Sequence, residues 1–172
     1  MKYLVAFAGA LSCAMLAASA MPSVKVLGVT PDLVLIFTAC WAVVRGQSEA
    51  MVVVPIAGVL RDLTTSDPVG TSVLALSPIV LLAMARELRP VESEFLPALA
   101  VVASASLAYA LVSMAVLTAV GDDVPWGTAL LRVAVPSMLV NALFAAIVYP
   151  PMRWMSPRPK AQSFGIGSAV RL

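Results

Sequence analysis

Few side chains in this chain are equipped for chemistry, and none of them is histidine. The commonest metal ligand and the commonest general base near neutral pH are therefore missing. Cys13 and Cys40 each stand in an apolar run, and their spacing fits no metal or redox motif. Buried thiols of that kind serve as small apolar side chains. A serine–histidine site is excluded by composition. An aspartyl site needs two carboxylates sharing one proton at depth, and the only Gly-Asp pair, Gly121-Asp122, falls in a loop. The residues left to explain are Arg61, Asp62, Arg132 and Asn141. Arg61 and Asp62 are neighbours on a helix and so do not face each other. Arg61 is long enough to snorkel to an interface, whereas Asp62 needs a donor, for which Arg132 is a candidate. Asn141 can donate and accept between helices at once. Two readings follow: Asp62 and Asn141 staple helices together, or they line a small polar cavity. Neither reading is catalytic, and no cofactor or metal is expected.

The elements that hold these residues are set by composition. Of 172 residues, 61% are hydrophobic and 12% charged, with a mean hydropathy of +0.99. A soluble domain carries roughly a quarter charged residues, so this chain cannot cover a water-facing surface. It reads as an all-α integral membrane protein, which excludes soluble enzymes and nucleic-acid binders. The net charge of +2 is too small to draw a polyanionic partner.

A helix that crosses a bilayer needs about 20 mostly apolar residues. Such stretches run over Tyr3–Met21, Val29–Val44, Ala50–Leu60 (short), Val69–Ala85, Phe95–Val120 and Leu131–Trp154, giving six expected crossings in residues 1–155. The second opens on Thr30-Pro31-Asp32, with proline suited to the first helical position and aspartate to the positive end of the helix. Pro55, Pro78 and Pro136 are expected to kink the third, fourth and sixth. Asp32, Asp67, Asp122 and Asp123 stand at helix ends, where solvation accounts for them. Residues 156–172 are polar, rich in Pro, Gly and Ser, and read as a disordered tail. With the N-terminus inside, eight basic residues flank the cytoplasmic ends and three the outer ends, which places both termini in the cytoplasm. Ala18-Ser19-Ala20 resembles a cleavage site, but the apolar run before it is long enough to span. The residues before Cys13 make a poor lipoprotein signal.

Helices in lipid pack closely through small side chains. Ala6, Ala10, Ala14 and Ala18 form one such face on the first helix, and Ala100, Ser104 and Ala108 another on the fifth. Each is either a seam inside the bundle or a docking face for another membrane protein.

Three stretches together resemble a known family. They are Thr30-Pro31-Asp32-Leu33-Val34-Leu35, then Gly58-Val59-Leu60-Arg61-Asp62-Leu63 with Asp67-Pro68-Val69-Gly70, and Val140-Asn141-Ala142-Leu143 with Tyr149-Pro150. Their order and spacing over roughly residues 27–155 are similar to MreD, the small integral membrane subunit of the bacterial rod-shape (elongasome) machinery. Pro31, Asp32, Gly58, Pro68 and Gly70 carry the motif, and Arg61 departs from it, a charge where the family usually has an apolar residue. The resemblance implies a bundle like the substrate-binding S-components of energy-coupling-factor vitamin transporters, in the bacterial inner membrane. It implies a non-catalytic scaffold that binds MreC and, within the same complex, connects to MreB, RodA and a class B transpeptidase. The alternative is a small-molecule-binding S-component-like transporter subunit, which the low aromatic content (6%) and short outer loops count against.

Overall fold

Leu33–Arg45 is apolar on every side, and a helix of that kind is either surrounded by others or faces lipid. In the computed structural model, which describes residues 2–19, 24–65, 68–87 and 95–155, ten of its thirteen residues are buried. All regular structure among the described residues is helical, apart from a lone bridge between Val26 and Val29. The helices are α1 (Lys2–Ser19), α2 (Leu33–Arg45), α3 (Gln47–Asp62), α4 (Thr71–Leu76), α5 (Pro78–Glu87), α6 (Phe95–Val120), α7 (Trp126–Ala129) and α8 (Val135–Met155), with a π-helical segment over Leu130–Ala134. By continuity they form six rods: α4 with α5, and α7 through α8, each make one.

Side-chain pairs fix the directions of these rods. Gly46, at φ 89°, alone separates α2 from α3. Asp32 at the start of α2 meets Arg61 at the end of α3, so the two run antiparallel. Phe95 lies beside Tyr149, with ring centroids 6.2 Å apart, and Trp126 Nε1 donates to Thr118 Oγ1 at 3.2 Å. Those two contacts align α6 and the rod from α7 through α8 antiparallel from end to end. The central α2 is packed by α1, α3, α5, α6 and α8. Gly9 of α1 leaves room for the Phe37 ring of α2, which a Cβ there would strike.

Several expected boundaries move, each for a local reason. The second helix begins at Leu33, not at Pro31, because Asp32 is its cap: the carboxylate accepts the Leu35 N–H at 3.0 Å. The third is longer than Ala50–Leu60, since only Gly46 interrupts the chain before Gln47. The fourth breaks at Ser77, ahead of Pro78, whose missing N–H cannot continue the ladder. The sixth starts earlier, at Trp126, and Pro136 lies at its π-to-α junction rather than mid-helix. A widened turn just before a proline relieves its clash with the carbonyl four residues back. Pro150 and Pro151 sit inside α8. Two rods, Phe95–Val120 and Trp126–Met155, are long and apolar enough to cross a membrane. Asp67, the Ala20 of the expected cleavage site and the tail 156–172 lie outside the described residues.

Candidate functional site

The chain between α1 and α2 does not turn straight into a helix. Val26 and Val29 close a tight turn, Gly28 within it has φ 81°, and residues 29–32 descend without helical structure. This irregular backbone reaches well into the bundle before α2 begins. Backbone polar groups buried among helices need partners, and the residues around Asp32 supply them.

Asp32 is held from three directions. Its Oδ1 caps α2 at Leu35, its Oδ2 pairs with the Arg61 guanidinium, and its own N–H donates to Asn141 Oδ1 at 2.8 Å. Asn141 Nδ2 donates to Ser106 Oγ at 3.1 Å, and that hydroxyl donates to the Val102 carbonyl at 2.9 Å. One hydrogen-bonded chain thus joins α3, α2, α8 and α6. Arg61 also lies over Tyr109, its guanidinium carbon 4.6 Å from the ring centroid, an attraction of roughly 0.5–2 kcal/mol. The Arg61 and Asp32 side chains are 21% and 14% exposed. Removing one partner of a pair that still meets the cavity costs less than the roughly 3–5 kcal/mol of a fully buried one. Tyr109 stands just past the middle of α6, roughly 21 Å from Phe95 and 16 Å from Val120 by helical rise. The ion pair therefore sits half way along the bundle, not at its surface.

Asp62 is placed differently. It is buried and turns to α4, where Oδ2 accepts the Gly70 N–H at 2.7 Å and Oδ1 the Ser72 N–H at 2.9 Å. Its donors are the free amides of a helix start, and Arg132 is not among them: Arg132 is exposed on the π segment. Gly58, one turn earlier on the same face, lets α4 approach. A Cβ there would come within 2.6 Å of the Val73 backbone. Gly70 at φ 98° and the Thr71 N–H to Pro68 carbonyl bond (3.1 Å) close the turn that delivers those amides. The Gly-x-x-x-Asp spacing followed by Pro-x-Gly is thus a single device for docking α4 on α3. Arg61, within the same stretch, points the other way.

Above the ion pair opens a cavity of about 760 Å³. Its lining includes Pro31, Asp32, Arg61, Ser106, Tyr109 and Asn141, and reaches Lys25 and Val124 in the loops at the end of the bundle remote from Lys2. Asp62 and Arg132 do not line it. Of the polar residues singled out from sequence, the fold brings Arg61 and Asn141 together through Asp32 and sends the other two elsewhere. Asp32 had a solvated helix end as its expected setting; it is instead the centre of the network, together with Ser106 and Tyr109, which sequence reasoning passed over. One signal for it was available: Asp32 is the only acid before Glu49, and an arginine in an apolar helix needs a counter-charge.

The small-residue faces also separate. Ala6, Ala10 and Ala14 are buried, where α1 packs on α2 and α3, while Ala18 is exposed. Ala100 and Ser104 are exposed and Ala108 half-buried on α6, with Ser104 Oγ donating back to the Ala100 carbonyl at 2.8 Å. At the opposite end of the bundle Arg45 reaches toward Glu49, at 4.0 Å, and lies 5.3 Å from the Trp41 ring centroid. Among the described residues no cluster of three acidic, cysteine or histidine side chains could hold a metal ion.

The family model for the rod shape-determining protein MreD matches residues 2–156. Searches of curated proteins and of solved structures gave no match.

Proposed function

The chain belongs to the MreD family of rod shape-determining membrane proteins, and from that premise we propose that it is a non-catalytic scaffold of the cell-wall elongation complex. It binds MreC through its helices and helps position peptidoglycan synthesis, with MreB, RodA and a class B transpeptidase as members of the same assembly. The observation that carries this reading is the family match over almost the whole helical bundle. In this reading the six rods are six crossings of the bacterial cytoplasmic membrane, arranged like an S-component. Residues 1–155 form the membrane domain, residues 156–172 a cytoplasmic tail, and both termini face the cytoplasm. The Ala100, Ser104 and Ala108 face of α6, exposed at Ala100 and Ser104, is the contact for the MreC helix, because the matching stripe on α1 is covered from Ala6 to Ala14. Small side chains allow a partner helix to approach closely, which is what drives association in lipid. Depleting the chain in its native cell is expected to widen or round the cells; unchanged cell width would overturn the assignment.

The cavity favours a second reading, a small-molecule-binding subunit of an S-component-like transporter. Against it, Tyr109 is the one aromatic side chain among the described residues of its lining, where small-molecule sites are walled largely by apolar and aromatic side chains.

A further inference from the structure

Helix packing accounts for the Asp32 network but not for the space above it. The cavity falls within the size range of small-ligand sites, roughly 300–1,000 Å³, and reaches from the loops of one end to the middle of the bundle. Its lining has two characters. All its charges come from residues 25–32 and the end of α3: Lys25, Asp32 and Arg61. The far half of α6, the loop after it and the rod that follows contribute Met114, Leu117, Val124 and Val133. Two cations face one carboxylate, and Asp32 is already engaged by Arg61, so the cavity keeps an excess of positive charge at Lys25. The lining also carries hydroxyl-bearing side chains, Thr30, Thr65, Ser113 and Ser137 among them.

We propose that this cavity binds an anionic amphiphile, an oxyanion such as a phosphate ester carried on an apolar body. The oxyanion is drawn to Lys25 and to the hydroxyl donors, since charge-assisted hydrogen bonds are the stronger ones. The apolar body lies against the α6 wall. Two sources offer this chemistry, an anionic lipid of the surrounding membrane and a soluble phosphate ester, and the apolar wall points to the first. The site rests on the cavity alone and stands whether or not MreC is the partner.

The test uses the purified full chain in a neutral maltoside detergent. Its thermal unfolding is followed by tryptophan fluorescence as dodecyl phosphate, dodecyltrimethylammonium or inorganic phosphate is added. Dodecyl phosphate is expected to raise the midpoint saturably, by roughly 5 °C, and the cationic amphiphile to leave it in place. Lys25→Glu should weaken the response about tenfold, and Ser113→Phe, which fills the space, should abolish it. Lys25 is exposed, so its variant decides alone if the other fails to fold. A rise with inorganic phosphate alone supports the oxyanion site and assigns its ligand to the soluble source. No rise with either phosphate, an equal rise with the cationic amphiphile, or a response unchanged in Lys25→Glu would overturn the proposal.

Discussion

The side-chain oxygen of Asn141 accepts the backbone N–H of Asp32 at 2.8 Å, across 109 residues of sequence. This bond explains how a non-helical strand of chain survives half way into an apolar bundle. Inside a membrane, irregular backbone is tolerated only where protein or a wet cavity satisfies it, and residues 29–32 have both: Asn141 on one side and the cavity on the other. An amide serves here because it accepts from Asp32 while donating to Ser106.

Replacing Asn141 with leucine should therefore destabilise the chain although it adds apolar surface. The Asp32 N–H loses its partner, at a cost of about 1–3 kcal/mol. Asn141→Asp keeps an acceptor beside that N–H and should recover part of the loss if its carboxyl is protonated. Thermal unfolding in detergent measures both, and an Asn141→Leu variant as stable as the parent would contradict this role.

Much of the helical plan can be read directly from residue order. The limits of α6 coincide with its apolar run, because Gly121-Asp122-Asp123 ends it abruptly. Asn141 stands out as the one amide deep in a span. What could not be read is pairing at long range. Arg61 and Asp62 are adjacent in sequence, but a helix turns them about 100° apart, so one meets α2 and the other α4. Asp32 looks like an ordinary helix cap, and it is one; its second role appears only when α3 folds back about Gly46.

Asp32 and Arg61 should show energetic coupling. Asp32→Asn leaves an uncompensated cation in the interior and Arg61→Met an uncompensated anion. The double variant removes both charges and should be less damaged than the sum of the two, by about 0.5–3 kcal/mol. A double-mutant cycle on unfolding free energies tests this, and strict additivity would mean that the pair contributes no interaction.

Asp62 should behave as a cap. Asp62→Ala strands the Gly70 and Ser72 amides and should lower stability by about 1–2 kcal/mol, with cell-shape function falling in step with protein abundance. Asp62→Asn, which keeps one oxygen acceptor, should fall between. Full abundance of Asp62→Ala with lost function would assign this carboxylate a role beyond docking α4.

Gly58 should tolerate no side chain. Gly58→Ala places a Cβ against the Val73 backbone, which must move, so α4 should loosen from α3. Overpacking of this kind costs roughly 1–3 kcal/mol. Limited proteolysis in the 63–70 connection reads the effect, with faster cleavage expected; an unchanged rate would show that α4 is not seated through this contact.

The exposed face of α6 should be the sensitive one for assembly. Ser104→Phe blocks close approach of a partner helix while leaving the buried core untouched, whereas Ala10→Phe collides with α2 and α3 and should simply lower abundance. Co-purification of MreC normalised to the amount of chain separates the two. Normal recovery with Ser104→Phe would move the contact elsewhere.

The most direct measurement is a pull-down of the tagged full chain from its native membrane in mild detergent, read by mass spectrometry. A scaffold of the elongation machinery predicts recovery of MreC, with RodA and its transpeptidase alongside. Recovery of a pair of ATPases with a coupling membrane subunit, and no MreC, would contradict the scaffold and make the chain part of a transporter.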